Sequence, residues 1–165
     1  MGTVNHVTHG FGPVIDSDSE ILILGSFPSV KSREISFYYG HPQNRFWAIL
    51  EAIFQHPPFG SIDEKVHFCH LNHIALYDVI EECDIIGSSD LSIKNPIPSK
   101  LFDLCAQAKI RKVILNGKKA AQIFQKYFPN GLGPEIEVRC VPSSSPANAA
   151  WTLPRLIESW KLAFR

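Results

Sequence analysis

Two short strings hold most of the side chains in this sequence that can do chemistry. The first, Tyr39-Gly40-His41-Pro42-Gln43-Asn44-Arg45-Phe46-Trp47, sets a carboxamide at or near the start of an apolar stretch. An amide is no useful base, but its oxygen can hold a water and its NH2 can hold a polar ring edge. At a helix start, free N–H groups and the positive end of the dipole favour a developing anion. The competing role for Asn44 is a plain helix cap. The second string, Val141-Pro142-Ser143-Ser144-Ser145-Pro146-Ala147-Asn148, offers hydroxyls and backbone N–H groups suited to phosphate oxygens, or else forms an ordinary turn.

Other candidates are weaker. Lys118 and Lys119 follow Asn116-Gly117 at an expected helix start, where a cation is disfavoured unless a phosphate lies nearby; solvated lysines are the simpler reading. The string is no Walker loop, because no glycine stands five residues before Gly117. His67, Cys69, His70 and His73 have conceivable metal-ligand spacing, yet four such residues in one short segment seldom converge on one ion, so no metal is expected. Glu34 and Asp78 are the acids nearest these strings; either can polarise water, with surface solvation the favoured reading.

The elements that must position these residues follow from hydrophobic spacing. Glu20-Ile21-Leu22-Ile23-Leu24-Gly25 is a continuous apolar run stopped by Gly25 and Pro28, as in a strand buried on both faces. Phe46, Trp47, Ile49, Leu50, Ile53 and Phe54 recur at helical spacing, with Pro42 suited to the first turn and Pro57-Pro58 as the stop. In the less regular segment 59–100, Ile74-Ala75-Leu76-Tyr77-Asp78-Val79-Ile80 reads as a strand running into a turn, and Gly87-Ser88-Ser89-Asp90 as loop. Leu101, Leu104, Cys105 and Ala108 mark a helix, Val113-Ile114-Leu115 a buried strand, and Ala120, Ile123, Phe124, Tyr127 and Phe128 another helix. Ile136, Val138 and Cys140 alternate as on a strand wet on one face, and Leu153 to Phe164 stripe a closing helix with Pro154 near its start. Such alternation of strands and helices predicts a layered α/β domain on a mainly parallel sheet. Ligands then sit beyond the carboxyl ends of the strands, at loops 25–43, 116–119 and 141–148.

The motif loops and the order of elements, over roughly residues 20–160, resemble the uracil-DNA glycosylase superfamily. Its mismatch-specific branch shows a strand, a Gly-x-Asn-Pro loop, a His-Pro-x-Asn-Arg-Phe-Trp helix start and a C-terminal serine loop. Where most of the superfamily has Asn or Asp before the proline, this chain has Phe27, which neither orients water nor accepts a proton. That pattern is similar to the hypoxanthine-DNA glycosylase branch, also called DNA-deoxyinosine glycosylase.

The resemblance implies one domain over residues 1–165, a three-layer α/β/α sandwich on a four-stranded sheet. It also implies hydrolysis of the N-glycosidic bond of hypoxanthine or uracil in DNA, with Asn44 catalytic. It places Ser26, Phe27 and Tyr39 against the extruded base, Tyr39 by stacking and Phe27 as a wall; Tyr38 is the alternative stacker, and ordinary packing the competing role. Ser143, Ser144, Ser145 and Asn148 would contact DNA. No cofactor or metal is implied. The residue that fills the vacated duplex is not evident in Pro146-Ala147-Asn148.

Composition bounds these readings. At 165 residues and 45% hydrophobic, the chain suits one compact unit. Lys plus Arg and Asp plus Glu both number 16, so the broad basic field of a non-specific nucleic-acid binder is missing. Contact with a few phosphates through N–H groups needs no such field, and a shallow salt dependence is expected. Cys69, Cys83, Cys105 and Cys140 form no C-x-x-C pair, and residues 1–20 carry no signal-type apolar run. A soluble cytoplasmic monomer without a membrane span is therefore expected. Two other classes compete: a damaged-base binding module without hydrolysis, and a nucleotide-handling enzyme using Asn116-Gly117-Lys118 for phosphate.

Overall fold

A computed structural model describes residues 3–86 and 92–165; the loop expected at Gly87-Ser88-Ser89-Asp90 lies outside the described residues. At its centre are four parallel strands in the order β3-β2-β6-β7, where β2 is Ile21–Gly25, β3 Ile74–Asp78, β6 Lys112–Asn116 and β7 Glu137–Val141. The first three are buried at nearly every position, which is why they read as unbroken apolar runs.

Alternation along the strands sorts the core into two halves. Ile21, Ile23, Ile74, Leu76, Ile114 and Val141 pack with Phe46, Phe68 and Trp160, from the helices α2 (Phe46–Phe54), α3 (Ile62–Leu71) and α6 (Leu153–Ala163). Leu22, Leu24, Ala75, Val113 and Leu115 face the other way, against Leu104, Ile123 and Phe124 of α4 (Leu101–Ala106) and α5 (Lys118–Tyr127). Helices on both faces of a parallel sheet are the expected three layers. Register then aligns the carboxyl ends: Gly25 lies beside Asp78, and Asn116 beside Val141.

Four features differ from expectation. Residues 4–8 form a strand, β1 (Val4–Thr8), and the middle third holds β4 (Ile80–Ile86) and β5 (Lys94–Pro98). Together they make an antiparallel sheet in the order β1-β4-β5. Ile80, Cys83 and Ile85 of β4 bury against the second half of the core, but register shifts at Glu82 break the period-two pattern that would have exposed the strand in sequence. Loop 25–43 contains a short helix, α1 (Val30–Ile35), capped by Ser29. The helix expected near Pro42 begins at Phe46, because the Asn44 N–H closes a turn onto the carbonyl of His41 at 3.0 Å. Finally, β7 begins at Glu137 rather than Ile136 and, as an edge strand, buries only Val141.

Val14 bridges Leu76 with paired backbone hydrogen bonds of 3.0 and 2.8 Å. This pins the segment after β1 beside the middle of β3. No helix among the described residues is long and apolar enough to cross a membrane.

Candidate active site

The carboxyl ends of the parallel strands open on a cavity of about 400 Å³, within the range of about 300–1,000 Å³ usual for small-molecule sites. All three loops expected from the sequence reach it. Gly25, Ser26 and Phe27 leave β2, Tyr39 and Asn44 come from the segment before α2, and Asn116, Ser143, Ser144 and Ser145 close the far side; β3 adds Asp78.

Ser144 organises the far side. Its side chain is buried, its Oγ donates to Asn44 Oδ1 at 2.9 Å and accepts from Asn116 Nδ2 at 3.0 Å, and its N–H donates to Asn116 Oδ1 at 3.0 Å. Asn44 Oδ1 also accepts the Phe46 N–H at 2.9 Å. Two donors on one atom assign it as the oxygen and fill both lone pairs. The oxygen that was expected to hold a water is thus occupied. What Asn44 offers the cavity is its NH2, at the opening of α2, where the dipole favours negative charge. Capping and cavity-lining roles coexist in this one side chain.

Arg45 binds the same loop from outside. Its N–H donates to the Ser144 carbonyl at 3.0 Å, and its guanidinium donates to the carbonyls of Trp151, Ser145 (2.8 Å) and Asn148 (3.1 Å). A planar fork reaching several carbonyls is what arginine offers and lysine does not. In the sequence, nothing but its place in the string marks Arg45. Asn148 donates from Nδ2 to the Ser143 carbonyl at 3.0 Å, so its amide serves the loop rather than the cavity wall. Gly117 has φ +96°, and a Cβ there would meet Ser143 Cβ at 2.8 Å; glycine permits both the turn and the close approach.

Tyr39 stands in the left-handed region at φ 54° and stacks on Phe46 at 3.9 Å between centroids. One ring face is therefore covered, and Tyr39 lines the cavity. Its hydroxyl is buried without a hydrogen-bond partner of sound geometry. Burial chiefly, and then the charge of Asp78, holds the phenol well above its ordinary pKa, with Asn116 opposing; the group stays a donor. Tyr38 is buried and gives its hydroxyl to the Gly12 carbonyl at 2.8 Å, which makes it a packing residue. Phe27 is 5% exposed and forms an apolar wall.

Asp78 departs most from expectation. Its side chain is 5% exposed rather than solvated, and its Oδ2 meets Nε2 of the equally buried His9 at 2.7 Å. No sequence signal joined these residues, which are 69 positions apart. Glu34, by contrast, is exposed beside Lys31. Lys118 and Lys119 are exposed. The amide of Asn116, a residue of the alternative phosphate turn, is spent on Ser144. Cys69 is core, His70 lies 3.2 Å from Asp16, and His73 bonds the Asp18 carbonyl; among the described residues no three His, Cys, Asp or Glu side chains gather as a metal set.

Comparison with known proteins matches residues 12–163 to the uracil DNA glycosylase superfamily. A protein named hypoxanthine DNA glycosylase from Methanosarcina acetivorans is 34% identical over 161 residues, covering 96% of this chain and 99% of its own. Another of that name, from Methanosarcina barkeri, is 35% identical over 159 residues, covering 94% and 97%. The solution structure of a candidate uracil DNA glycosylase from Methanosarcina acetivorans superposes with a TM-score of 0.81 at 30% identity, over 99% of this chain and 98% of that one.

Proposed function

Since the chain belongs to the uracil DNA glycosylase superfamily, we propose that it is a monofunctional DNA glycosylase that removes deaminated bases, hypoxanthine or uracil, from DNA. The observation that carries this reading is the Asn44–Ser144–Asn116 clasp at the mouth of a base-sized cavity. A nucleotide turned out of the duplex would place its base between the Phe27 wall and Tyr39. Asn44 NH2 would then meet the base edge as a donor.

That polarity supports the choice of base. Deamination replaces an exocyclic amine, a donor, with a carbonyl, an acceptor, so an NH2 fixed by Ser144 favours hypoxanthine and uracil and faces adenine or cytosine donor to donor. Breaking the glycosidic bond leaves its electron pair on the base. Asn44 NH2 and the α2 N-terminus lie where that negative charge develops. Water supplies the hydroxyl to the sugar carbon, and the released base ends with a proton. Ser143 and Ser145 offer hydroxyls and N–H groups to the flanking phosphates.

In this reading residues 1–165 act as one domain, a cytoplasmic monomer needing neither metal nor cofactor. Binding without hydrolysis is not favoured, because both curated relatives are named as glycosylases. Labelled duplexes carrying inosine or uracil, incubated with the protein and treated with alkali, should break at the lesion. Intact strands with every deaminated base would refute the proposal.

A further inference from the structure

Hydrolysis needs a partner for the attacking water, and the residues so far assigned cannot supply one. Asn44 is not basic and its oxygen is filled; Phe27 is apolar. Among the described residues lining the cavity, Asp78 is the one acid. Its side chain is held by a buried histidine. His9 Nδ1 lies 2.8 Å from the Phe11 carbonyl, so that nitrogen must carry a proton and donate. The 2.7 Å contact of Nε2 with Asp78 Oδ2 requires a second proton between them. With that proton on the imidazole the pair is an imidazolium beside a carboxylate, uncharged overall, and does not repel a departing anionic base. Ring contacts of 4.5 Å with both Phe11 and Tyr77 fix the imidazole.

With Oδ2 engaged, Oδ1 makes no hydrogen bond among the described residues, and Asp78 lines the cavity. It is seated against Gly25, where an added Cβ would lie 2.5 Å from it and 3.3 Å from the Tyr39 hydroxyl. Glycine at the end of β2 is thus what leaves room for a carboxylate from the neighbouring strand. Near it sits the Tyr39 hydroxyl, buried and without a hydrogen-bond partner of sound geometry among the described residues.

Resting on the glycosylase reading above, we propose that Asp78 is a second catalytic residue, whose Oδ1 holds and deprotonates the attacking water, and that His9 is its positioning residue. The water oxygen bonds to the sugar carbon while the carbon–nitrogen bond breaks with its electron pair leaving on the base. One water proton passes to Oδ1, the base anion takes a proton from solvent, and Asp78 then returns its proton to solvent. Phe27 provides the apolar wall, and the polar function comes from the adjacent strand.

The test compares wild type, Asp78→Asn and Gly25→Ala under single-turnover conditions on an inosine duplex, with lesion binding and Tm measured alongside. Asp78→Asn keeps shape and a partner for His9 but removes the base; its rate should fall by about 100-fold or more, with affinity within about threefold of wild type. Gly25→Ala leaves the carboxylate in place chemically but displaces it, and should slow cleavage by at least about tenfold while still binding the lesion. If Asp78→Asn does not fold, Gly25→Ala decides. Cleavage by Asp78→Asn within about threefold of wild type, or a rate loss matched by an equal loss of binding, overturns the inference. Wild-type protein that releases no base would overturn the glycosylase reading itself, and this inference with it.

Discussion

Ser144 and Asn44, 100 residues apart, share a hydrogen bond of 2.9 Å that joins the two chemical strings of the sequence into one wall. It fixes which end of the Asn44 amide is engaged by the protein. Two substitutions separate its roles. Asn44→Ala removes both oxygen and NH2, and should cost about 1 kcal/mol of stability through the lost bond to the start of α2 and at least about tenfold in single-turnover cleavage. Asn44→Asp keeps an acceptor for Phe46 and Ser144 but offers no NH2; it should melt within about 3 °C of wild type and still lose the rate. Equal activity of Asn44→Asp and wild type would return Asn44 to capping alone.

Arg45 converts one helix start into an anchor for the loop that would meet phosphates. Arg45→Lys loses the fork, and charge-assisted bonds of this kind contribute roughly 1.5–3 kcal/mol. DNA affinity should fall about tenfold or more, with faster amide exchange at 143–151 and unchanged exchange in β2. Unaltered exchange in that loop would show that the clamp is redundant.

Stability has a separate anchor, remote from the cavity. Lys112 is fully buried and its Nζ donates at 2.8 Å to the carbonyls of Ala163 and Arg165 at the end of α6. Lys112→Met would leave those carbonyls without their donor, at about 1–3 kcal/mol, or roughly 3–10 °C in Tm for a chain of this size. Calorimetry checks this, and the cleavage rate of the folded variant should not change. A Tm equal to wild type would mean that water replaces the ammonium.

These residues differ in how far the sequence reveals them. The parallel sheet was legible because β2 and β6 are buried on both faces and so spell Ile-Leu-Ile-Leu and Val-Ile-Leu. The antiparallel sheet was not: β1 and β4 carry His6, Glu82 and Asp84, β5 carries Pro96 and Pro98, and the bulged register of β4 hides its alternation. Asn44 and the serine loop stood out by residue type, although only the coordinates show that the oxygen is occupied. His9 and Asp78 were illegible as a pair, because an isolated histidine near a segment end and a lone acid after an apolar run have no local reason to meet. They are brought together by the pairing of β1 with β4, which ends at Thr8 opposite Glu82 and is followed by the His9 N–H bonded to the Glu81 carbonyl at 2.8 Å.

The antiparallel sheet should respond to pH. Hydrogen bonds from His6 to Glu82 first and Asp84 second hold its imidazole above its ordinary pKa, while Asn95 and then His6 hold the Asp84 carboxyl below its own. A raised histidine stabilises the fold fully below its unfolded value and loses that effect as pH rises through the folded one. A lowered carboxyl stabilises above its unfolded value and loses the effect as pH falls through the folded one. His6→Gln should therefore melt below wild type near about pH 5.5 and match it near about pH 9, with the gap narrowing in high salt. A gap that is constant across this range would assign the effect to packing.

Release of free base from an inosine-containing duplex, quantified by chromatography under single-turnover conditions, bears most directly on whether this cavity breaks a glycosidic bond. Wild-type protein should liberate hypoxanthine stoichiometrically with alkali-labile abasic sites, and Asn44→Ala should do so at least about tenfold more slowly. Tight binding of the lesion duplex with the base still attached to its sugar would contradict catalysis.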